Sequence, residues 1–232
     1  MALVKFGGGV VGMSGSIAGT TFARNRSGSY ARARTKPINP NTARQVLVRS
    51  IMANLSTRWS QTLTADQRTA WNLYASSVSM KNRLGEAINL TGFNHYLRSN
   101  SNRLAEGIAL IDAGPTVFEL AEKDSAIEIS PDASRQMIDL TFDDTMEWVD
   151  EDEAWLFIQQ GRPQNAQRNF FAGPYFDMKD KHGDSGAPLT TPESFSATQV
   201  ITEGQKLWCK FQIARADGRI SEPFFASAIV VA

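Results

Sequence analysis

Cysteine is nearly absent: Cys209 is the only one among 232 residues, so a disulfide framework and a cysteine-based metal site are both excluded. Histidine is almost as scarce. His95 and His182 are separated by most of a domain length and cannot make an ordinary zinc site without carboxylates. No apolar run is long enough to span a membrane. Gly7, Gly8, Gly9 and Gly12 interrupt what would be a signal peptide's apolar core, so the expectation is a protein kept in a reducing compartment. The most informative absence is local. From Met1 to Ala65 there is no acidic residue, and every charge is basic: Lys5, Arg24, Arg26, Arg32, Arg34, Lys36, Arg44, Arg49 and Arg58.

The formal net charge is nevertheless zero, because residues 119–153 are acid-rich, with only Lys123 and Arg135 against the trend. Opposite-signed ends favour head-to-tail contact between copies, or a basic end that docks on something anionic; two solvated faces are the bland alternative. Apolar content is that of an ordinary globular protein, and the length allows one large or two ordinary domains.

Residues 1–40 are Gly-rich, then hairpin-like, and close on the extended, turn-prone Pro37-Ile38-Asn39-Pro40. Asn25-Arg26-Ser27-Gly28 predicts a hairpin turn. Counted by period two, Phe22, Arg24, Tyr30, Arg32, Arg34 and Lys36 share one parity, and Thr21, Ala23, Ala31 and Ala33 the other. A turn that kept this parity would give one basic, aromatic face and one small, smooth face. A two-stranded ribbon is marginal in water, so the segment is expected to be an arm that needs a partner surface.

A helical region, residues 41–111, follows. Thr42 with Gln45, and Thr64 with Gln67, have capping-box spacing. Val48, Ile51, Met52, Leu55 and Trp59 predict one buried stripe, and Ala70, Trp71, Tyr74 and Val78 a second. Thr91 predicts the start of a third helix, with Phe93, Leu97, Asn100 and Leu104 on one face and Gly107 at its end; His95 is expected at its polar edge. Residues 81–87 are expected to be a loop, and Asp112-Ala113-Gly114-Pro115 a domain linker. Beyond it, strand-like runs at 126–130, 137–142, 154–159, 169–176, 197–202, 206–214 and 224–231 predict an antiparallel β-sandwich over residues 116–232. The expected fold class is α+β: an arm with a β-hairpin, a small three-helix region and a C-terminal immunoglobulin- or fibronectin-like sandwich.

Little in the chain carries chemistry. Gly7-x-Gly9-x-x-Gly12 has the letters of a dinucleotide fingerprint, but no helix is predicted after it and the first acid, Asp66, is too distant for a ribose contact. His182, Asp184 and Ser185 are adjacent, whereas triads join distant segments, so these are read as solvated loop residues. The acidic segment 143–153 lacks calcium-loop spacing. No catalytic residue, cofactor or metal is therefore assigned. Partner binding is assigned to Phe22, Arg24, Arg26, Tyr30, Arg32, Arg34 and Lys36, with a protein surface favoured over nucleic acid.

The succession Arg24-Asn25-Arg26-Ser27-Gly28, Tyr30, Arg32, Arg34, Asn39-Pro40-Asn41-Thr42, Gln45 and Arg49 resembles the opening of uncharacterised tailed-bacteriophage virion proteins. Leu63-Thr64-Ala65-Asp66-Gln67, Trp71, Thr91-Gly92-Phe93, Asn100 and Arg103 extend that resemblance over residues 15–107. Residues 207–222 look more loosely like the end of a fibronectin-type sandwich. The resemblance implies a virion component assembled in the host cytoplasm, with the major capsid protein and further copies of itself as partners. A capsid cement or decoration protein is the first expectation; a neck, tail or baseplate component, or a genome-contacting protein, are the alternatives.

Overall fold

The computed structural model describes residues 2–25, 28–82 and 84–232, with backbone only at 177–178. The class is α+β, as expected: three α-helices among the described residues, and strands paired antiparallel in four sheets.

The N-terminal segment is a four-stranded sheet rather than a single hairpin. It consists of β1 (Ala2–Leu3), β2 (Gly15–Ile17), β3 (Thr20–Asn25) and β4 (Gly28–Ala33), in the order β1-β4-β3-β2. Asn25 pairs with Gly28, and the expected turn residues 26 and 27 lie outside the described residues. Ile17 pairs with Thr20 across a two-residue reversal, with Ala18 at φ 48°.

Helix α1 (Ala43–Thr57) starts at Thr42, whose hydroxyl accepts the Gln45 amide at 3.3 Å. The reciprocal half of that capping box is missing, because Gln45 Oε1 has no partner among the described residues. Arg49 donates to Asn41 Oδ1 (2.8 Å) and Asn39 Oδ1 (2.6 Å), fastening the end of the arm to the helix. Only Ile51 and Leu55 of α1 are buried; Val48 and Met52 stay exposed, lining a cleft of about 250 Å³ that this side of the helix shares with Asn102, Ala105 and Gln159. The expected stripe is correct in phase but covered only in its C-terminal half. A π-helical turn, Arg58–Thr62, leads to α2 (Ala65–Ser77), where Thr64 and Gln67 form the full reciprocal capping box. Trp71, Tyr74 and Val78 are buried as predicted.

The expected 81–87 loop is the tip of a short hairpin between β5 (Met80–Lys81) and β6 (Ala87–Ile88). Helix α3 (Gly92–Ala105) is capped by Thr91 and crosses α2 at Gly92, where a Cβ would lie 2.7 Å from the Asn72 amide nitrogen; only glycine permits that approach.

Residues 112–115 are not a free linker. Asp112 accepts two bonds from Arg58 (2.8 and 2.6 Å) and one from the Tyr96 hydroxyl (3.2 Å), while its carbonyl accepts Trp71 Nε1 at 3.0 Å. Asn100, fully buried, exchanges bonds with the Ile111 backbone in both directions (2.8 and 3.0 Å). The segment is pinned because its polar groups complete the hydrogen bonding of the helices' inner faces.

The sandwich packs β7 (Glu128–Asp132), β8 (Met137–Thr141) and β12 (Glu193–Ser196) against a sheet of β9 (Trp155–Gly161), β10 (Gln164–Asn165), β11 (Tyr175–His182), β13 (Gln205–Ala214) and β14 (Phe224–Ile229). Its core joins Ile129, Ile138 and Leu140 from the first sheet to Leu156, Ile158, Leu207, Phe211 and Ile213 from the second. Two strand expectations are displaced. The 169–176 run is irregular until β11 begins at Tyr175, and 197–202 forms no strand, its place being taken by β12 just before it. Phe170-Phe171 and Ile201 supplied apolarity without alternation, which is a weak strand signal.

The helical unit and the sandwich are joined by directed contacts. Arg98 donates to the carbonyls of Ile220 (3.0 Å) and Ser221 (2.5 Å), and Ser99 to that of Gly218 (2.7 Å). Arg103, 1% exposed, donates to the carbonyls of Glu153 (2.7 Å) and Arg215 (3.1 Å). The β13–β14 turn at Asp217-Gly218 thus plugs into the face of α3.

Candidate functional site: the basic arm

Strand register decides how the arm presents its side chains. Residues directly opposite each other share a face, and the register places Thr20 against Ala33, Phe22 against Ala31 and Arg24 against Ser29. The other face carries Thr21 with Arg32 and Ala23 with Tyr30. The expected single basic, aromatic face is therefore wrong. A two-residue turn pairs even with odd residue numbers, so Phe22 and Arg24 lie on one face while Tyr30 and Arg32 lie on the other. Each face carries one aromatic and one arginine. Arg34 and Lys36 follow β4 in extended, exposed chain, and Arg26 lies outside the described residues.

Nothing in residues 2–50 that the structure describes is buried. Val11 (98%), Ile38 (89%) and Ile17 (63%) face solvent. Arg24, Arg32, Arg34 and Lys36 are without an ion-pair partner among the described residues, whereas Lys5 pairs with Glu86 near the β5–β6 tip. The outer edges of β1 and β2 are open, so both sides of the sheet can accept a further strand. Gly7, Gly9 and Gly12 lie in exposed, irregular chain between β1 and β2, with no helix after them.

The other candidates resolve into structural roles. His95 is not at a polar edge. It is 2% exposed, packs edge-on to Tyr74 at 5.1 Å, and burial with the nearby Arg98 charge pushes its pKa down to about 4. His182 is the last residue of β11, not a loop residue, and its ring lies 5.3 Å from that of Trp155. Asp184 accepts the Gly186 amide (2.8 Å), and Ser185 donates its amide to Asp152 (2.8 Å), so the triad letters stabilise a turn. Part of the acidic segment is neutralised within the chain: Arg215 pairs with Glu151 and, at 2.9 Å, with Glu147. Beside these pairs is a cleft of about 400 Å³ lined by Glu119, Glu122 and Asp143, by the paired Glu147 and Arg215, by Arg219, which pairs with Asp217, and by Leu120, Met146 and Trp148. Among the described residues no group of three or more His, Cys, Asp or Glu could hold a metal ion, and no helix is long and apolar enough to cross a membrane.

No protein-family model and no curated protein matches the chain. Among solved structures, an Fn3-like protein from Clostridium thermocellum is similar at 11% identity, covering 45% of this chain and 86% of that one, with a TM-score of 0.28. A family 76 glycoside hydrolase from a bovine Bacteroides thetaiotaomicron strain is similar at 14% identity, covering 47% of this chain and 21% of that one, with a TM-score of 0.31. Likenesses this slight carry no argument about activity.

One surface escaped sequence reasoning. Asn169, Phe170, Phe171, Tyr175, Trp208 and Phe225 line a groove on the outer face of the larger sheet, with Phe171 stacked on Trp208 at 5.6 Å. Phe170 is 73% and Phe225 55% exposed. The available signal was the Phe170-Phe171 pair, since adjacent side chains in extended chain point to opposite faces and both cannot enter one core.

Proposed function

We propose that this chain is a non-enzymatic structural component of a tailed-bacteriophage virion, a capsid cement or decoration protein that binds neighbouring capsid subunits through its N-terminal arm. One observation carries the reading: a hydrogen-bonded four-stranded sheet in which no described residue is buried. Such a sheet, with Phe22 and Tyr30 only half-buried, gains little from apolar burial within its own chain, while ordering it costs about 1–2 kcal/mol of backbone entropy per residue. A partner surface supplies the difference, by strand addition at the open edges and by arginine–carboxylate pairs from both faces.

The resemblance of residues 15–107 to virion proteins gives this reading its setting. Several residues that carry it are joints: Asn39 and Asn41 hold Arg49, Thr42 and Thr64 cap helices, and Asn100 and Arg103 fix the linker and the sandwich. They support a body that holds the arm in place.

Deleting residues 2–40 is expected to leave a folded body with an unchanged urea midpoint, since the segment contributes nothing to either large core. The truncated protein should no longer co-sediment with capsids of its parent particle. Full-occupancy binding by the truncated chain would overturn the proposal.

A further inference from the structure

Among the described residues, no basic side chain of the arm pairs with an acid of the body's cleft. Arg24, Arg32, Arg34 and Lys36 have no ion-pair partner among the described residues, and neither do Glu119 and Glu122, both exposed at the cleft. The separation of sign is complete enough to dictate which surfaces can associate. Residues 1–65 carry nine basic and no acidic side chains, and the remaining residues carry nine more acidic than basic ones. Two arms repel, and two bodies repel. Only arm against body is attractive, so charge both selects the pairing and rejects the symmetric alternatives.

The cleft fits an occupant with both apolar and basic groups. Leu120, Met146 and Trp148 supply its apolar lining, Arg215 and Arg219 are each already paired with a carboxylate, and among the described residues the Trp148 indole N–H is buried without a hydrogen-bond partner. An extended chain brings alternating side chains that can reach acids and apolar groups together. The arm offers this combination, with Ile17 and Val11 exposed beside its arginines.

We propose that a second copy of this chain is a partner of the arm: the arm of one copy docks in the Glu119–Glu122 cleft of the next. This rests on the arm being the binding element of the proposed function, and names a partner for it. The contact is heterologous, using different patches on the two copies, so repeated docking closes into a ring or extends as a fibre.

The test is sedimentation velocity of the full-length protein, with two variants. One carries Arg24→Glu, Arg32→Glu and Arg34→Glu; the other carries Glu119→Lys and Glu122→Lys. All five positions are exposed, and an unchanged urea midpoint confirms that each variant folds. Wild type should form oligomers at ~0.1 M salt, where the screening length is ~10 Å, and dissociate at ~1 M, where it is ~3 Å. Each variant alone should associate at least about tenfold more weakly. A chain carrying both sets of reversals should regain assembly, because the charges are exchanged rather than lost. Monomeric wild type at low salt, or variants that assemble as wild type does, would overturn the inference. A monomer that still binds capsids through its arm refutes self-docking alone and leaves the proposed function standing. An oligomer that ignores capsids supports self-docking and refutes the function.

Discussion

Arg103 is one of three α3 side chains that hold the two cores together, and replacing it with methionine tests that role. The guanidinium is 1% exposed, and burial lowers its pKa without a carboxylate hydrogen-bonded to it. Its good hydrogen bonds run to the carbonyls of Glu153 (2.7 Å) and Arg215 (3.1 Å) in the sandwich; a longer one reaches Ala109 (3.4 Å). Arg103→Met keeps the stem's apolar packing and removes the donors. Leaving a buried acceptor unsatisfied costs ~1–3 kcal/mol, and the low end applies to part-buried carbonyls with a second lone pair. The Arg215 carbonyl keeps the Gly218 amide at 3.1 Å, so only the Glu153 carbonyl is left without a donor, and the loss is ~1 kcal/mol, offset in part by no longer desolvating a charge. At a urea m-value of ~2–3 kcal/mol/M the midpoint should fall by up to ~0.5 M.

The sharper readout is cooperativity. With Arg98, Ser99 and Arg103 bridging the units, helical circular dichroism and tryptophan fluorescence should report one coincident transition in the wild type. In Arg103→Met the helical signal should be lost first, because the smaller core of Leu55, Trp71, Tyr74 and Tyr96 keeps only the Arg98 and Ser99 bonds to the sandwich. Coincident transitions at an unshifted midpoint would refute the reasoning.

Two further outcomes follow from burial. His95 stays neutral in the fold down to about pH 4, whereas in the unfolded chain it takes up a proton near pH 6.5. The unfolded state binds more protons in that window, so stability is full above about pH 6.5 and falls as the pH drops towards 4, by at most ~3 kcal/mol. In His95→Phe, urea midpoints measured across this range should lose most of that slope. Cys209 lies in β13 with its thiol fully covered, and burial pushes its pKa up to about 12. A maleimide at pH 8 should leave native protein unlabelled and modify it stoichiometrically in denaturant; rapid native labelling would contradict the burial.

What was legible in the sequence is what local chemistry fixes. Thr64 and Gln67 close a capping box over three residues, and Trp71, Tyr74 and Val78 recur at helical spacing, so α2 needed no tertiary information. The alternation of Leu207, Cys209, Phe211 and Ile213 likewise specifies one inward face of β13. The absence of acid before Asp66, and the arm it marks, were equally plain.

Tertiary structure decided whatever depends on a partner elsewhere in the chain. Val48 has the same periodicity as Leu55, yet it is exposed because α1 does not close on α3 and β9 there and a cleft is left between them. His95 looked like an edge residue until Tyr74 from α2 covered it. Asp112-Ala113-Gly114-Pro115 has the composition of a linker, but Arg58, Trp71 and Tyr96 bind it to the helical core. The arm shows the division most clearly. Sequence determined that it is basic, extended and short of core. Only the pairing of Asn25 with Gly28 decided that Arg24 and Arg32 occupy opposite faces, because one residue of register turns every side chain over.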